Sequence, residues 1–436
     1  MDGLLAALAG SANTVRIWDW RREYRTGDPR SQGDVPTGPY SFSDATIFTD
    51  GTSLVVGWGN PSLAAGAFVS TQVVAVVHLF TLGFISMSIL GALYQFLPVA
   101  VSTPIRSPRL AHLTFILFLL GIAVFLAGLL ATPPLLPLGG GLVALALTLF
   151  AGNFIATLAR AKERSVTWWA LAGAAFFLVV TLGLGFTLAL NLRTGLLLGA
   201  RFETLLVHVH VALGGWALLV MVGVGHRLLP MFMLSHGATQ IPSRIAVAGL
   251  IGGCALLALP LGTPVRLAGF ALAAAGIVAF LVQAAAFYRH RKRRSLDPGM
   301  RLALSGLGGV GVALCLAPFA WLYGWQHVRL LSAYVFLLVA GISLFIAGHY
   351  VKIVPFVVWY HRWGTRVGRE RVPSVADLYS ASGATRALVA LVAGVLGIAT
   401  GILAGHAGLL RAGAFVFLLG IGCEGREMIR IARKKA

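Results

Sequence analysis

The chain has 436 residues, of which 58% are hydrophobic and 11% charged, and its formal net charge is +20. Soluble domains hold about 45–50% apolar and about 25% charged residues, so this composition excludes a water-soluble globular enzyme and a disordered chain. The excess of Lys and Arg sits in short loops between apolar runs, where it reads as a topology signal and a contact to anionic lipid rather than a nucleic-acid surface.

Residues 1–63 stand apart. They hold Arg16, Arg21, Arg22, Arg25 and Arg30 and 7 of the 14 acids. Their one early apolar stretch, Leu4 to Ala9, is too short to span a bilayer. The segment reads as interfacial or extramembrane, with Trp18 and Trp20 as interface anchors, and leaves room for a degenerate first helix. Met1-Asp2-Gly3 lacks the positive start of a signal peptide.

From residue 64 to 436 the pattern predicts a transmembrane helical bundle. Eleven apolar runs follow one another: 66–98, 110–131, 135–158, 167–191, 204–231, 244–261, 265–288, 301–323, 329–358, 387–405 and 408–423. Each is long enough for a membrane helix, and no strand pattern competes. Cys254, Cys315 and Cys423 are far apart and form neither a CxxC motif nor a disulfide framework.

Basic residues give the expected orientation. If successive runs alternate sides, one side collects 24 Lys and Arg and the other five: Arg193, Arg201, Arg266, Arg329 and Arg411. The positive-inside rule then puts the basic side and the C-terminus in the cytoplasm. The expected location is a prokaryotic cell (inner) membrane, crossed many times.

An internal repeat is visible in the first and fifth runs. His78, Gly83, Phe84, Gly91, Leu97 and Pro98 match His210, Gly215, Trp216, Gly223, Leu229 and Pro230 without a gap. A weaker third copy ends at Gly348 to Pro355. The three prolines are 132 and 125 residues apart, and four runs fill each interval. The expected architecture is therefore all-α, with 11–12 transmembrane helices in three pseudo-repeated four-helix units.

Helical geometry, at about 100° per residue, sorts the histidines. His78 and His210 fall at equivalent outer positions. His349 falls on nearly the same face of its own repeat, some 21 Å deeper at about 1.5 Å per residue. His208 lies about 200° from His210, and uninterrupted α-geometry puts His226 on the face of His208. The residues just before each proline (Tyr94, Gln95, His226, Arg227, Val351 and Lys352) are expected to form an inner polar ring.

Histidines inside apolar helices are functional suspects, and neutral imidazole ligates metals and haem iron. Two His on facing helices at one depth suit a b-type haem slotted between helices. His78 with His210 meets that requirement, and no C-x-x-C-H motif suggests covalent attachment. His208 faces a second haem or metal site, and His226 and His349 are candidates for a deeper one. The bland reading of a single intramembrane His is a helix–helix hydrogen bond. Glu203, seven residues before His210 and so on the same face, is either an outer partner or proton acceptor for that histidine or a plain helix-start acid. The remaining histidines (His112, His236, His290, His327, His361 and His406) read as surface groups.

On these features the chain resembles the catalytic subunit (subunit I) of the haem–copper oxidase superfamily, which includes the nitric oxide reductase large subunits. With the N-terminal region in the first slot, the eleven runs match helices two to twelve of that fold. The resemblance implies that His78 is an axial haem ligand and that His208 or His210 sits on the helix that carries a metal ligand. It also implies that Arg411 lies where arginines meet haem propionates. It does not extend to the family's paired histidines on the seventh helix, since run 244–261 has none, nor to its H-x-H on the tenth, where the outer half offers only Tyr334. The copper or non-haem iron centre is therefore not carried over.

The leading expectation is a membrane redox protein with one or two b haems, engaged in quinol- or nitric-oxide-linked electron transfer. Copper or another metal, held by His78, His208 and His210, is a further candidate cofactor. Its expected partners are the lipid bilayer, a cytochrome or quinol redox partner and respiratory-complex subunits, with no nucleic acid. The alternative is a non-catalytic copper- or zinc-handling or respiratory-complex assembly protein. A transporter is a third class, disfavoured by the expectation that no acid lies deep in a helix.

Overall fold

The computed structural model describes residues 71–436 except 198–199, 294, 325–326 and 435–436, together with three short strands near the N-terminus. These strands, β1 (Leu5–Ala7), β2 (Thr14–Trp18) and β3 (Asp34–Pro36), pair antiparallel in chain order. Trp20 and the rest of residues 1–63, where the sequence leaves room for a degenerate first helix, lie outside the described residues.

Among the described residues, eleven helices are long and apolar enough to cross a membrane, one for each run: α1 (Thr71–Pro98), α2 (Pro108–Leu130), α3 (Pro133–Leu158), α4 (Val166–Leu192), α5 (Arg201–Met233), α6 (Ile241–Ala258), α7 (Gly262–Arg289), α8 (Pro298–Tyr323), α9 (Val328–Arg366), α10 (Ala381–Ala404) and α11 (Ala407–Arg433). The chain is thus a multi-pass all-α membrane protein in its described body. Caps fix several of the starts. Ser107, Ser165, Asp297 and Ser380 each accept a backbone N–H from the first turn that follows, which satisfies donors that the helix leaves orphaned.

Sequence neighbours α2/α3, α6/α7, α8/α9 and α10/α11 pack side by side. Small residues allow close approach where lipid offers no hydrophobic drive. A Cβ added to Gly249 on α6 would lie 2.8 Å from Cα of Gly276 on α7. The central helices are α9 and α5, the most enclosed of the eleven.

Helices α1, α5 and α9, spaced four apart in the chain, meet inside the bundle. Trp216 of α5 reaches Ser86 Oγ of α1 with its indole N–H at 3.5 Å, and the Tyr350 hydroxyl of α9 donates to Ser88 Oγ of α1 at 2.5 Å. Both α1 and α5 widen into π-helical turns immediately after their matched histidines, over Leu79–Ser86 and Val211–Leu218. Helix α9 remains α-helical over Val328–Trp363. Such turns are rare and recur at functional sites.

One end of the bundle carries the basic loops and is called the basic end below. Lys352 and Asp297 form a largely buried ion pair there at 2.5 Å, with 13% and 15% of their side chains exposed. The last turn of α11 docks on the loop after α9, where Trp363, Leu378 and Ile431 make a small apolar cluster.

Helix α11 continues past Cys423 through Glu424 and Glu427, beyond the apolar run that ends at 423. Glu427 is buried against Arg430 at 2.9 Å and the Ser380 N–H. Glu424 places one carboxylate oxygen in the interior without a hydrogen-bond partner. Both acids lie past the apolar run, toward the C-terminal end of α11.

Candidate functional site

The far end of the bundle encloses a cavity of about 920 Å³, at the upper end of the roughly 300–1,000 Å³ typical of small-molecule and cofactor sites. Its walls come from α1 to α9, with a touch of α10, and are mostly aliphatic and aromatic. His78, His208 and His210 all line it, as do Glu203, Arg266 and Tyr334.

His78 is the last residue of α1 before the π-turns. Its Nδ1 lies 2.8 Å from the Val74 carbonyl oxygen. A carbonyl only accepts, so in the neutral ring Nδ1 carries the proton and Nε2 keeps its lone pair. A backbone carbonyl on one ring nitrogen, with the other left basic, is the usual arrangement of a histidine that ligates a metal.

The ring across from His78 is His208, not His210. The two lie nearly parallel, 14° apart, with ring centres separated by 6.4 Å. Direct stacking would bring them closer. Two imidazole nitrogens held at about 2 Å on opposite sides of one metal would set their ring centres roughly 6 Å apart, close to the observed spacing. His208 also has a buried Nδ1 with no hydrogen-bond partner. Gly185 of α4 makes room for its ring, since a Cβ there would lie 2.9 Å from Cε1. Phe125 of α2 packs its ring edge-on to His78 at 5.3 Å.

His210 turns the other way. Its Nδ1 donates to the Leu206 carbonyl at 2.8 Å, and its Nε2 accepts from the Tyr334 hydroxyl at 3.1 Å. Phe270 of α7 stands edge-on to the ring at 4.8 Å. The opposite facing of His208 and His210 follows the α-helical geometry of Arg201–His210. The shared face of His208 and His226 does not survive. His226 bonds Ser243 Oγ of α6 at 2.8 Å and packs near Phe287 of α7, so it turns toward the helices on His210's side. The physical reason is the intervening π-turns, whose i→i+5 bonds take up an extra residue per turn and reset the phase.

The deeper residues do not gather into one centre. His349 donates Nδ1–H to Phe345 O at 2.7 Å and is enclosed by Phe345 and Phe232, with Nε2 buried and unpartnered. The expected inner ring is replaced by separate partnerships. Lys352 binds Asp297, His226 binds Ser243, and Gln95 and Arg227 are exposed. Arg411 stands exposed in the first turns of α11, outside the cavity lining. Among the remaining histidines, His406 caps α11 by accepting the Leu409 N–H at 3.0 Å.

The charged groups at the cavity are Arg266 and Glu203, paired at 3.6 Å. Glu203 is in the first turn of α5 and, like His210, lines the cavity. Arg266 was legible only as a loop charge, because its pairing depends on the start of α7 lying beside the start of α5. Among the described residues no group of three His, Cys, Asp or Glu side chains converges as a metal site. The arrangement comprises one pair of facing imidazoles and one separate His–Tyr pair in a single apolar chamber. No protein-family model matches the chain, and no curated protein matches it in sequence.

Proposed function

We propose that this protein is a haem b-binding membrane redox protein, in which His78 and His208 would hold the haem iron. The observation that carries this reading is the nearly parallel pair of imidazoles 6.4 Å apart in a largely apolar cavity of about 920 Å³. The groups present suit a flat apolar macrocycle: one imidazole with its Nδ1 tied to a carbonyl, another seated against a glycine, and aliphatic walls from facing helices. Bound haem would supply one-electron transfer. The chain holds the two rings in register, keeps water out with its apolar walls, and places the Arg266–Glu203 pair at the far end.

The scaffold reading belongs to the same proposal. The bundle is of the haem–copper oxidase subunit I type, in three four-helix units whose equivalent helices are α1, α5 and α9. Support comes from the inward convergence of these helices and from the π-turns set at one register after His78 and His210. Electron transfer linked to a quinol or to nitric oxide fits that scaffold. The basic end faces the cytoplasm of a prokaryotic cell by the positive-inside rule, and the C-terminus lies there with it.

A dithionite-reduced minus oxidised spectrum of the purified protein, with and without carbon monoxide, tests the reading. Sharp b-type bands that carbon monoxide leaves unmoved are expected for two histidine ligands. Absence of haem bands from protein made in haem-supplied cells overturns it.

A further inference from the structure

At the basic end, the loop from α5 to α6 meets the loop from α7 to α8. Ser235 of the first and Arg291 of the second pair as an isolated antiparallel bridge. Leu234, in the left-handed region at φ 53°, turns the chain out of α5 just before the bridge. Residues directly opposed in an antiparallel pair have Cα atoms about 4.5–5.5 Å apart and side chains on one face. Arg291 Nη1 donates to the Tyr288 carbonyl at 2.6 Å, which ties the guanidinium to the end of α7. Its Nε is buried and has no partner among the described residues, and the same holds for the hydroxyl of Ser235, a residue only 8% exposed.

Two donors on one face, bonded neither to each other nor to a third group, lack an acceptor. An arginine Nε only donates, and a buried donor left unpaired costs free energy. The surroundings favour an anionic acceptor. Positions 289–294 hold five Lys and Arg and no acid, and positions 234–240 hold no acid either. The next acid along the chain, Asp297, is taken by Lys352. Both loops leave the ends of membrane-spanning helices, at the depth of lipid headgroups. A lipid phosphate brings the acceptor oxygens and the negative charge to that depth. A choline head would bring a cation to the same basic loop, so a head of net negative charge suits the place better.

We infer that Ser235 and Arg291 form a seat for the phosphate of an anionic phospholipid at the junction of these two loops. The seat stands on residues outside the cavity and does not depend on the haem reading.

The test uses the full chain in detergent and a headgroup-tritiated short-chain phosphatidylglycerol, with binding followed by equilibrium filtration. Salt is held at about 0.3 M, where attraction between exposed charges is largely screened. Saturable binding is expected, weakened roughly tenfold by Arg291→Gln, which removes a hydrogen bond to a charged group. Ser235→Ala changes no charge and should still weaken binding several-fold, whereas Lys292→Gln should have the smallest effect of the three. Without lipid, Ser235→Ala should melt at or above the parent temperature, because it removes an unpaired hydroxyl. Short-chain phosphatidylcholine and inorganic phosphate should compete poorly. Absence of saturable binding overturns the inference. Unaltered affinity in Ser235→Ala, with equal losses in Arg291→Gln and Lys292→Gln, means a diffuse basic surface and overturns it as well. Inorganic phosphate that competes as well as the lipid overturns the assignment to a lipid headgroup.

Discussion

His78 and His208, 130 residues apart in the chain, hold their rings 14° from parallel at 6.4 Å on two different helices of one chamber. His210, two residues from His208, faces Tyr334 instead. The division of labour between these neighbouring histidines underlies the functional proposal and the predictions that follow.

Gly185 is expected to be intolerant of a side chain. An added Cβ would press on His208 at 2.9 Å, closer than real Cβ contacts run, whereas Gly183 has open space. Gly185→Ala should lower haem content per folded protein, and Gly183→Ala should not. Equal haem content in the two variants would remove Gly185 from the site.

Lys352→Met should destabilise the fold. It leaves Asp297 as an uncompensated, largely buried charge at the start of α8, and breaking a buried pair costs about 3–5 kcal/mol. Thermal unfolding in detergent should show a clear drop, partly recovered when Asp297→Asn is added. A melting temperature like that of the parent would mean the pair is solvated.

Glu424→Gln should behave in the opposite sense. The carboxylate has a buried oxygen with no hydrogen-bond partner, and a lone charge inside a span is costly. The amide keeps the shape and removes the charge, so the variant should melt at or above the parent temperature. A large loss of stability would show that Glu424 holds a cation or a partner essential to the fold.

The eleven spans were legible in the sequence because each is an apolar run bounded by charges, a pattern that the bilayer imposes directly. The histidine positions were legible for the same reason, since a polar group inside such a run stands out. The pairing was not. Helical-wheel geometry assumes one period throughout, and the π-turns after His210 turned His226 away from the face of His208. Arg266 was hidden because its significance comes from the packing of α7 beside α5, and Glu424 because α11 outlasts its apolar stretch.

The most direct measurement of the central claim is haem stoichiometry, with the reduced difference spectrum, in purified His78→Ala, His208→Ala and His210→Ala proteins. The account predicts that the first two lose the b-type signal while His210→Ala retains it. Retention of full haem in His78→Ala or His208→Ala, or its loss in His210→Ala alone, would contradict the assignment.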